Sequence, residues 1–354
     1  MKSNIKFFKK SKILPVDQFL ENVLYNNKFG YYASRLPFGE KGDFVTSPNI
    51  SYLFSEIIAI WIISTWELFG KPKYFNIIEI GPGDGGLTKI LLRSFKKFPE
   101  FNSIKKIFLY EKSSYLKKIQ KKNISDKNVI WINNFNSIKK GPVIFFGNEF
   151  FDALPIKQFK RIKNSILEKN YTLDKNYKIK EVFKKATKTD IKILKSYKTL
   201  NKLNFIELPK FGFQVLKKII KKISKLKGCI LMIDYGYLKS NNQNTLQSVM
   251  KHKKNNLLEN LSKADITAHV NFDLLNEFFL KNGLKVNNVI TQKEFLENMG
   301  IIERGEIVAK KMNFREQTDL YLRIKRLLSP GSMGNLFKVI LAYKFNNNNF
   351  AGFK

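Results

Sequence analysis

Residues 77–88, Ile77-Ile78-Glu79-Ile80-Gly81-Pro82-Gly83-Asp84-Gly85-Gly86-Leu87-Thr88, constrain the fold more than any other part of the chain. An apolar run ends in an acid, and a glycine turn opens directly into the helical pattern Leu87, Ile90, Leu91, Leu92. Strand, glycine turn and helix in this order let backbone approach a nucleotide closely while a helix N-terminus faces it. Gly81, Gly83 and Gly86 fit the dinucleotide-binding spacing. Glu79 with Gly81, Gly83 and Gly85 fits acid-x-Gly-x-Gly-x-Gly, the loop that binds S-adenosylmethionine (SAM) in Rossmann-like methyltransferases. A tight turn without a ligand is a third reading, but four glycines within six positions carry an entropic cost that asks for a reason.

The surrounding pattern alternates strands with helices. Strands are expected at Phe75–Ile80, Lys106–Tyr110, Val129–Ile132 and Val143–Phe146, with helices over Leu87–Lys97 and Ser114–Lys121 between them. The strands are nearly continuous apolar runs, as in a parallel sheet covered on both faces. Ahead of them, residues 22–54 read as loop-rich, and Ser51 is a fitting N-cap for a helix that runs through Trp66. After Pro155 the alternation breaks into short charged segments, read as an inserted β-rich lobe with a helix. A helix from Phe213 to Lys225 returns to a core strand, Cys229–Ile233, ending in Asp234-Tyr235-Gly236. A helix over Phe272–Lys281, a strand over Leu284–Ile290, further helices and a final strand, Leu336–Tyr343, complete the pattern. The expected fold is α/β, Rossmann-like, a mostly parallel sheet with helices on both faces. Its core spans residues 71–156 and 228–345, with an N-terminal extension and possible lid over 1–70 and the inserted lobe over 157–227.

Composition excludes several classes. A chain of 354 residues that is 44% hydrophobic and 14% aromatic can bury a sizeable core and is not disordered by composition. The formal charge of +35 invites a nucleic-acid or anionic-membrane partner. The excess is mostly Lys, spread along the chain and accompanied by Asn, Ile and Phe. Those residues share A/T-rich codons, so base composition explains the bias, and a nucleic-acid partner is not expected. The single cysteine, Cys229, sits in an apolar run and excludes an intrachain disulfide framework. The most apolar stretch is far too short to span a bilayer, and Met1 to Lys12 lacks a signal-peptide apolar region. The default placement is the cytoplasm of an A/T-rich bacterium.

Two further places carry chemistry. Glu111, at the end of the second core strand, is suited to accept both ribose hydroxyls, an arrangement shared by NAD and SAM sites. Its bland alternative is a surface acid paired with Lys112. The fourth strand separates the two cofactors. It runs into Asn148-Glu149-Phe150-Phe151-Asp152-Ala153-Leu154-Pro155. Rossmann-like methyltransferases place polar residues, aromatics and prolines there, walling the transfer site and holding the nucleophile. Nicotinamide dehydrogenases have no such requirement.

With these blocks the sequence resembles the MidA family of SAM-dependent methyltransferases, which includes a mitochondrial complex I assembly factor of arginine-methyltransferase type. The likeness spans nearly the whole chain. It includes Gly30-Tyr31-Tyr32, residues 42–48 (Gly-Asp-Phe-Val-Thr-Ser-Pro), Glu79 through Gly83, Asn148 through Pro155 with Gln158-Phe159, and Asp234-Tyr235-Gly236. Thr245-Leu246-Gln247 with His252, Asp265 through Val270, and Met333 through Lys338 complete it. Asn49 and Asn271 depart from it, standing where the family pattern usually has an acid.

The resemblance implies SAM as cofactor and a protein arginine as substrate, on a respiratory complex I subunit or assembly intermediate. Carboxylates that pair with a guanidinium localise its charge away from the attacking nitrogen. Glu149 and Asp152 are the candidates for that role, with Asn148 holding the methyl-accepting region and His269 lining the site. His252 is a weaker candidate of the same kind. Glu79, Gly81, Gly83, Gly85 and Glu111 are the cofactor-binding candidates, and no metal is implied. Residues 39–48 are a candidate lid, and a homodimer is compatible with the pattern. Two rivals stand: a non-catalytic assembly factor using the fold as a docking platform, and a nucleic-acid methyltransferase. The polar-Pro-Pro-aromatic core of amino-methylating motifs is absent, which weighs against the latter.

Overall fold

The computed structural model describes residues 4–8, 11–35, 37, 39, 42–43 and 45–353. The chain enters through a short strand, β1 (Ile13–Pro15), and a helix, Val16–Tyr25. The residues 22–25 read as loop are therefore the last turn of a helix whose apolar face (Phe19, Leu20, Val23, Leu24) is buried. The next long helix, Tyr52–Leu68, has Ser51 as its N-cap, accepting from the Leu53 N–H.

The central sheet begins with β2 (Phe75–Ile80), β3 (Lys105–Tyr110), β4 (Val129–Ile132) and β5 (Val143–Asn148), all parallel. The chain then leaves it for β6 (Lys157–Ile162), β7 (Ser165–Leu173), β8 (Ile179–Lys185) and β9 (Phe205–Leu208), an antiparallel sheet. The helix Lys210–Leu226 leads back into β10 (Gly228–Tyr237), parallel to β5. A small antiparallel sheet, β11 (Gln247–Met250), β12 (Lys253–Asn255) and β13 (Asp265–Thr267), and the two-residue β14 (Val270–Asn271) follow. After the helix Phe272–Lys281 come β15 (Lys285–Val286), β16 (Ile290–Thr291) and finally β17 (Phe337–Lys344), which lies antiparallel beside β10. The strand order is β15-β17-β10-β5-β2-β3-β4. It reverses between β2 and β5, and open α/β sheets bind ligands in the crevice beyond the carboxyl ends of the strands at such a reversal.

Period-two alternation explains why the strands are continuously apolar. Ile77, Leu109, Phe146 and Leu231 cluster with the helices Tyr52–Leu68 and Gly86–Phe95. Ile78, Phe108, Phe145 and Met232 cluster with the helices Lys210–Leu226 and Phe272–Lys281. The Lys-rich helix Lys210–Leu226 shows why the basic excess does not disturb the core: Leu216, Ile219, Ile220 and Ile223 are buried, while Lys217, Lys218, Lys221 and Lys225 are exposed.

Three further elements differ from the expectation. The strand expected over Leu284–Ile290 is two short pieces. Val286 faces Ala342 and Ile290 faces Val339, so four steps along one strand match three along β17, a one-residue bulge on an edge strand. The core strand expected over Cys229–Ile233 and ending in Asp234-Tyr235-Gly236 runs one residue further, to Tyr237, with all three inside it. Gly236 permits this because a Cβ there would lie 2.0 Å from the Val270 carbonyl oxygen of β14. Finally, β1 pairs with β7, Ile13 opposite Thr172, so the N-terminal segment contributes a strand to the sheet of the 157–208 lobe. No helix among the described residues is long and apolar enough to cross a membrane.

Candidate active site

The carboxyl ends of β2, β3, β5 and β10 bring most of the expected residues to one crevice. The glycine turn after β2 holds three left-handed residues, Gly81 (φ +69°), Gly83 (φ +58°) and Gly85 (φ +84°). A Cβ at Gly81 would lie 2.7 Å from the ring of Phe150, so two neighbouring strand ends can approach only because that position is bare. The turn is closed by Gly81 N–H donating to the Tyr110 carbonyl (3.1 Å) and Gly85 N–H to the Pro82 carbonyl (2.8 Å).

Glu79, on β2, is buried and accepts from the Thr88 hydroxyl of the following helix. Burial pushes its carboxyl up to about 8, against the hydrogen bond from Thr88. Glu111 is buried as well, not a surface partner of Lys112. Its Oε1 accepts from Ser113 N–H (2.7 Å) and its Oε2 from Gln120 Nε2 (3.2 Å). Gln120 also donates to the Gly83 carbonyl (2.9 Å) and accepts from Trp131 Nε1 (2.9 Å). One buried amide thus ties the β3 acid to the glycine turn. Burial raises the Glu111 carboxyl, and the bonds from Ser113 and Gln120 oppose that rise.

The β5 end is strained. Glu149 has φ +52°, a left-handed conformation that a non-glycine residue adopts at a cost of order 1–3 kcal/mol and that clusters at functional sites. Its N–H donates to the Ile233 carbonyl (2.9 Å), and its Oε1 accepts from Ser47 N–H (3.2 Å) and Asn148 Nδ2 (2.9 Å). Burial pushes the Glu149 carboxyl up to about 8, with repulsion from Asp152 adding to it. The next turn is held from below by Asp234, whose Oδ2 accepts from the N–H groups of Phe151 (2.8 Å) and Asp152 (3.2 Å). Asp152 is buried and its Oδ1 has no partner; Asn148 Oδ1 is likewise unpartnered. Burial and repulsion from Asp152 push Asp265 up to about 7.

A cavity of about 240 Å³ opens over these strand ends, lined by Gly81, Gly83, Glu111, Glu149, Phe150 and Asp152 among others. A smaller one of about 50 Å³, sharing Gly81, Gly83 and Glu149, lies against Glu79, Asn49, Asp84 and Asn148. The larger cavity is also lined by Tyr32, from the Gly30-Tyr31-Tyr32 block, and by three residues that the sequence reading did not single out, Glu21, Tyr25 and Phe211. Tyr25 stacks on Tyr32 (ring centroids 5.3 Å apart) and donates to the Ala153 carbonyl (2.8 Å). Tyr32 donates to Asp265 Oδ1 (3.0 Å), and its carbonyl accepts from the Ser113 hydroxyl (2.6 Å). Lys112 is the one cation lining this cavity among the described residues, with its Nζ 4.4 Å from the Phe211 ring centre.

Some expected residues lie elsewhere. His269 lines a separate cavity of about 20 Å³ with Phe151, Glu207 and Tyr237, and meets the edge of Tyr235 at 5.4 Å. Burial holds its imidazole below the usual value. His252 has its N–H on the Asp43 carbonyl (3.1 Å). Of the 39–48 segment, Glu40, Lys41 and Phe44 lie outside the described residues. Asp43 is tied down by the Tyr31 hydroxyl (2.6 Å) and Lys251 N–H (2.7 Å). Asn271, one of the two departures from the family pattern, caps the helix Phe272–Lys281 by accepting from Leu274 N–H (3.1 Å), a role that needs an oxygen but no charge.

Residues 57–290 match the sequence family described as "Putative S-adenosyl-L-methionine-dependent methyltransferase". The chain belongs to this family. Among individual proteins, this methyltransferase is similar to protein arginine methyltransferase NDUFAF7, mitochondrial, of Xenopus laevis, at 28% identity over 350 residues, covering 92% of this chain and 80% of the relative. The protein of the same name from Homo sapiens is 28% identical over 353 residues, covering 92% and 78%. In fold it matches a COG1565 superfamily member from Burkholderia thailandensis bound to S-adenosyl-homocysteine, with TM-score 0.80 at 21% identity, over 97% of this chain and 89% of the other. The expected Rossmann-like methyltransferase fold is the observed one.

Proposed function

We propose that this SAM-dependent methyltransferase methylates an arginine side chain of a protein, on a respiratory complex I subunit or assembly intermediate. The observation that carries the reading is the buried acidity of the crevice. Asp152 lies close enough to Glu149, Asp234 and Asp265 to help raise the carboxyl of each, and one of its own carboxylate oxygens is unpartnered. Buried carboxylates in this number call for a cation. Similarity to the arginine methyltransferases named above supports a guanidinium as that cation, and the family resemblance supports the complex I partner.

The residues present fit the cofactor. Three left-handed glycines leave backbone bare, Glu111 offers a buried acceptor suited to ribose hydroxyls, and Asn148 Oδ1 is a buried acceptor awaiting a donor. When bound, SAM supplies a methyl group made electrophilic by its sulfonium. Glu79 would position the glycine turn or the amino-acid moiety of SAM. The chain's own part is alignment and dryness, which suffice for a direct displacement. Glu149 and Asp152 would accept from the guanidinium N–H groups, localising charge away from the attacking nitrogen. Oε1 of Glu149 is engaged by Ser47 and Asn148, leaving Oε2 to take the proton that the methylated nitrogen releases. Burial holds this carboxyl at about 8 in the empty site; a guanidinium docked against it favours the charged form, which then takes that proton.

The direct test is incubation with labelled SAM and native extract of a deletion strain, followed by mass spectrometry. Label on a protein arginine is the expected result. Label in RNA or DNA would favour the nucleic-acid rival, and no SAM binding at all the docking platform. A narrower test is Gly83→Ala, which forces a side chain into the left-handed region at the turn. It should weaken S-adenosylhomocysteine binding by about tenfold or more in calorimetry; an unchanged affinity would remove the turn from the cofactor site.

A further inference from the structure

Position 49 departs from the family pattern, and the structure supplies a reason. Thr46 Oγ1 donates to Asn49 Oδ1 (2.7 Å), and Asn49 Nδ2 donates to Asp84 Oδ2 (3.4 Å). The other oxygen of Asp84 accepts from Gly86 N–H (2.8 Å), and the Asp84 carbonyl accepts from Asn123 Nδ2 (2.9 Å). A continuous chain of polar contacts therefore runs from the segment before the helix Tyr52–Leu68 to the first residue of the helix after the glycine turn. Both side chains line the 50 Å³ cavity with Glu79 and Glu149, and no cation lines it among the described residues. A carboxylate at position 49 would accept from Thr46 equally well, but it would face Asp84 with no proton between them. An amide both accepts from Thr46 and donates to Asp84.

We propose that Asn49 is a positioning residue matched to Asp84, its amide bracing the glycine turn against residues 46–49 and so setting cofactor affinity. The proposal rests on the reading that this turn holds the cofactor. In this chain the neutral amide at position 49 is thus matched to the acid at position 84.

The swap of the pair tests this. Asn49→Asp should weaken S-adenosylhomocysteine binding about tenfold in calorimetry and speed hydrogen exchange at the Gly86 amide of the ligand-free protein. Asn49→Asp combined with Asp84→Asn restores a donor facing an acceptor, and should bring affinity back to within about threefold of the parent. A double variant no better than Asn49→Asp overturns the proposal, as does Asn49→Asp that binds like the parent. If the parent itself binds no S-adenosylhomocysteine, the cofactor reading fails. The exchange comparison then decides the pair alone, and equal Gly86 exchange in Asn49→Asp and the parent overturns it.

Discussion

In Glu149→Gln, methyl transfer to the identified acceptor protein should fall by roughly a hundredfold while SAM affinity changes little. The substitution keeps the shape of the side chain and an oxygen to accept from Ser47 and Asn148. It removes the charge that would pair with the guanidinium and the oxygen that would take its proton. Loss of one charge-assisted contact in a dry site corresponds to about 3 kcal/mol of barrier. Asp152→Asn should lose activity to a similar extent, because its unpartnered Oδ1 is the second acceptor. If both acids grip one group, the double variant is less damaged than the product of the singles. Single-turnover rates at saturating cofactor are the measurement. A Glu149→Gln rate equal to the parent's would remove Glu149 from the chemistry and leave its strained backbone as a feature of docking.

The ligand-free protein should lose stability as pH rises from about 5.5 to 8, the reverse of ordinary acid denaturation. Glu79 and Glu149 are pushed up to about 8 and Asp265 to about 7, all chiefly by burial, from ordinary values near 4. In that window the folded chain holds protons that the unfolded chain has released. Their contribution is complete below the unfolded values and is lost as pH climbs through the folded ones. The slope is at most about 1.4 kcal/mol per pH unit for each group. His269, lowered by burial, works in the opposite sense, but only below its ordinary value of 6.5. The carboxylates held below their usual range, such as Glu277 and Glu294, have finished titrating before the window opens. Thermal midpoints across the range check this, and a midpoint that is flat or rising to pH 8 refutes the picture of uncompensated buried acids.

The central sheet was legible because its strands are buried on both faces and its helices are amphipathic, so both periods stand clear in the residues. The glycine turn was legible because the left-handed backbone at Gly81, Gly83 and Gly85 has few other solutions. The cavity wall was not. Tyr25 and Phe211 look like ordinary apolar-face residues in sequence, and only the folded chain brings them to the cavity beside Tyr32. Gln120 carried no signal, since its donors and acceptors pair with Gly83, Glu111 and Trp131, between 9 and 37 positions away. His269 illustrates the converse: a rare residue inside a family-like block lines a different cavity from Glu149 and Asp152, behind Tyr235. The edge bulge near Asn287 turns on a count of residues between two pairings, which periodicity alone does not resolve.

The pairing of β1 with β7 has a consequence for how the chain is made. Ile13 finds its partner at Thr172, and Tyr25, at the far end of the helix that follows, hangs its hydroxyl on the Ala153 carbonyl. A nascent chain on the ribosome therefore carries its first segment unpartnered until about half the molecule has been synthesised. Contacts so distant in sequence close slowly, and a strand waiting for its neighbour is open to the wrong one. The crevice consequently acquires its aromatic wall after its floor, and a nascent chain stalled before residue 170 would present the glycine turn to solvent without that wall.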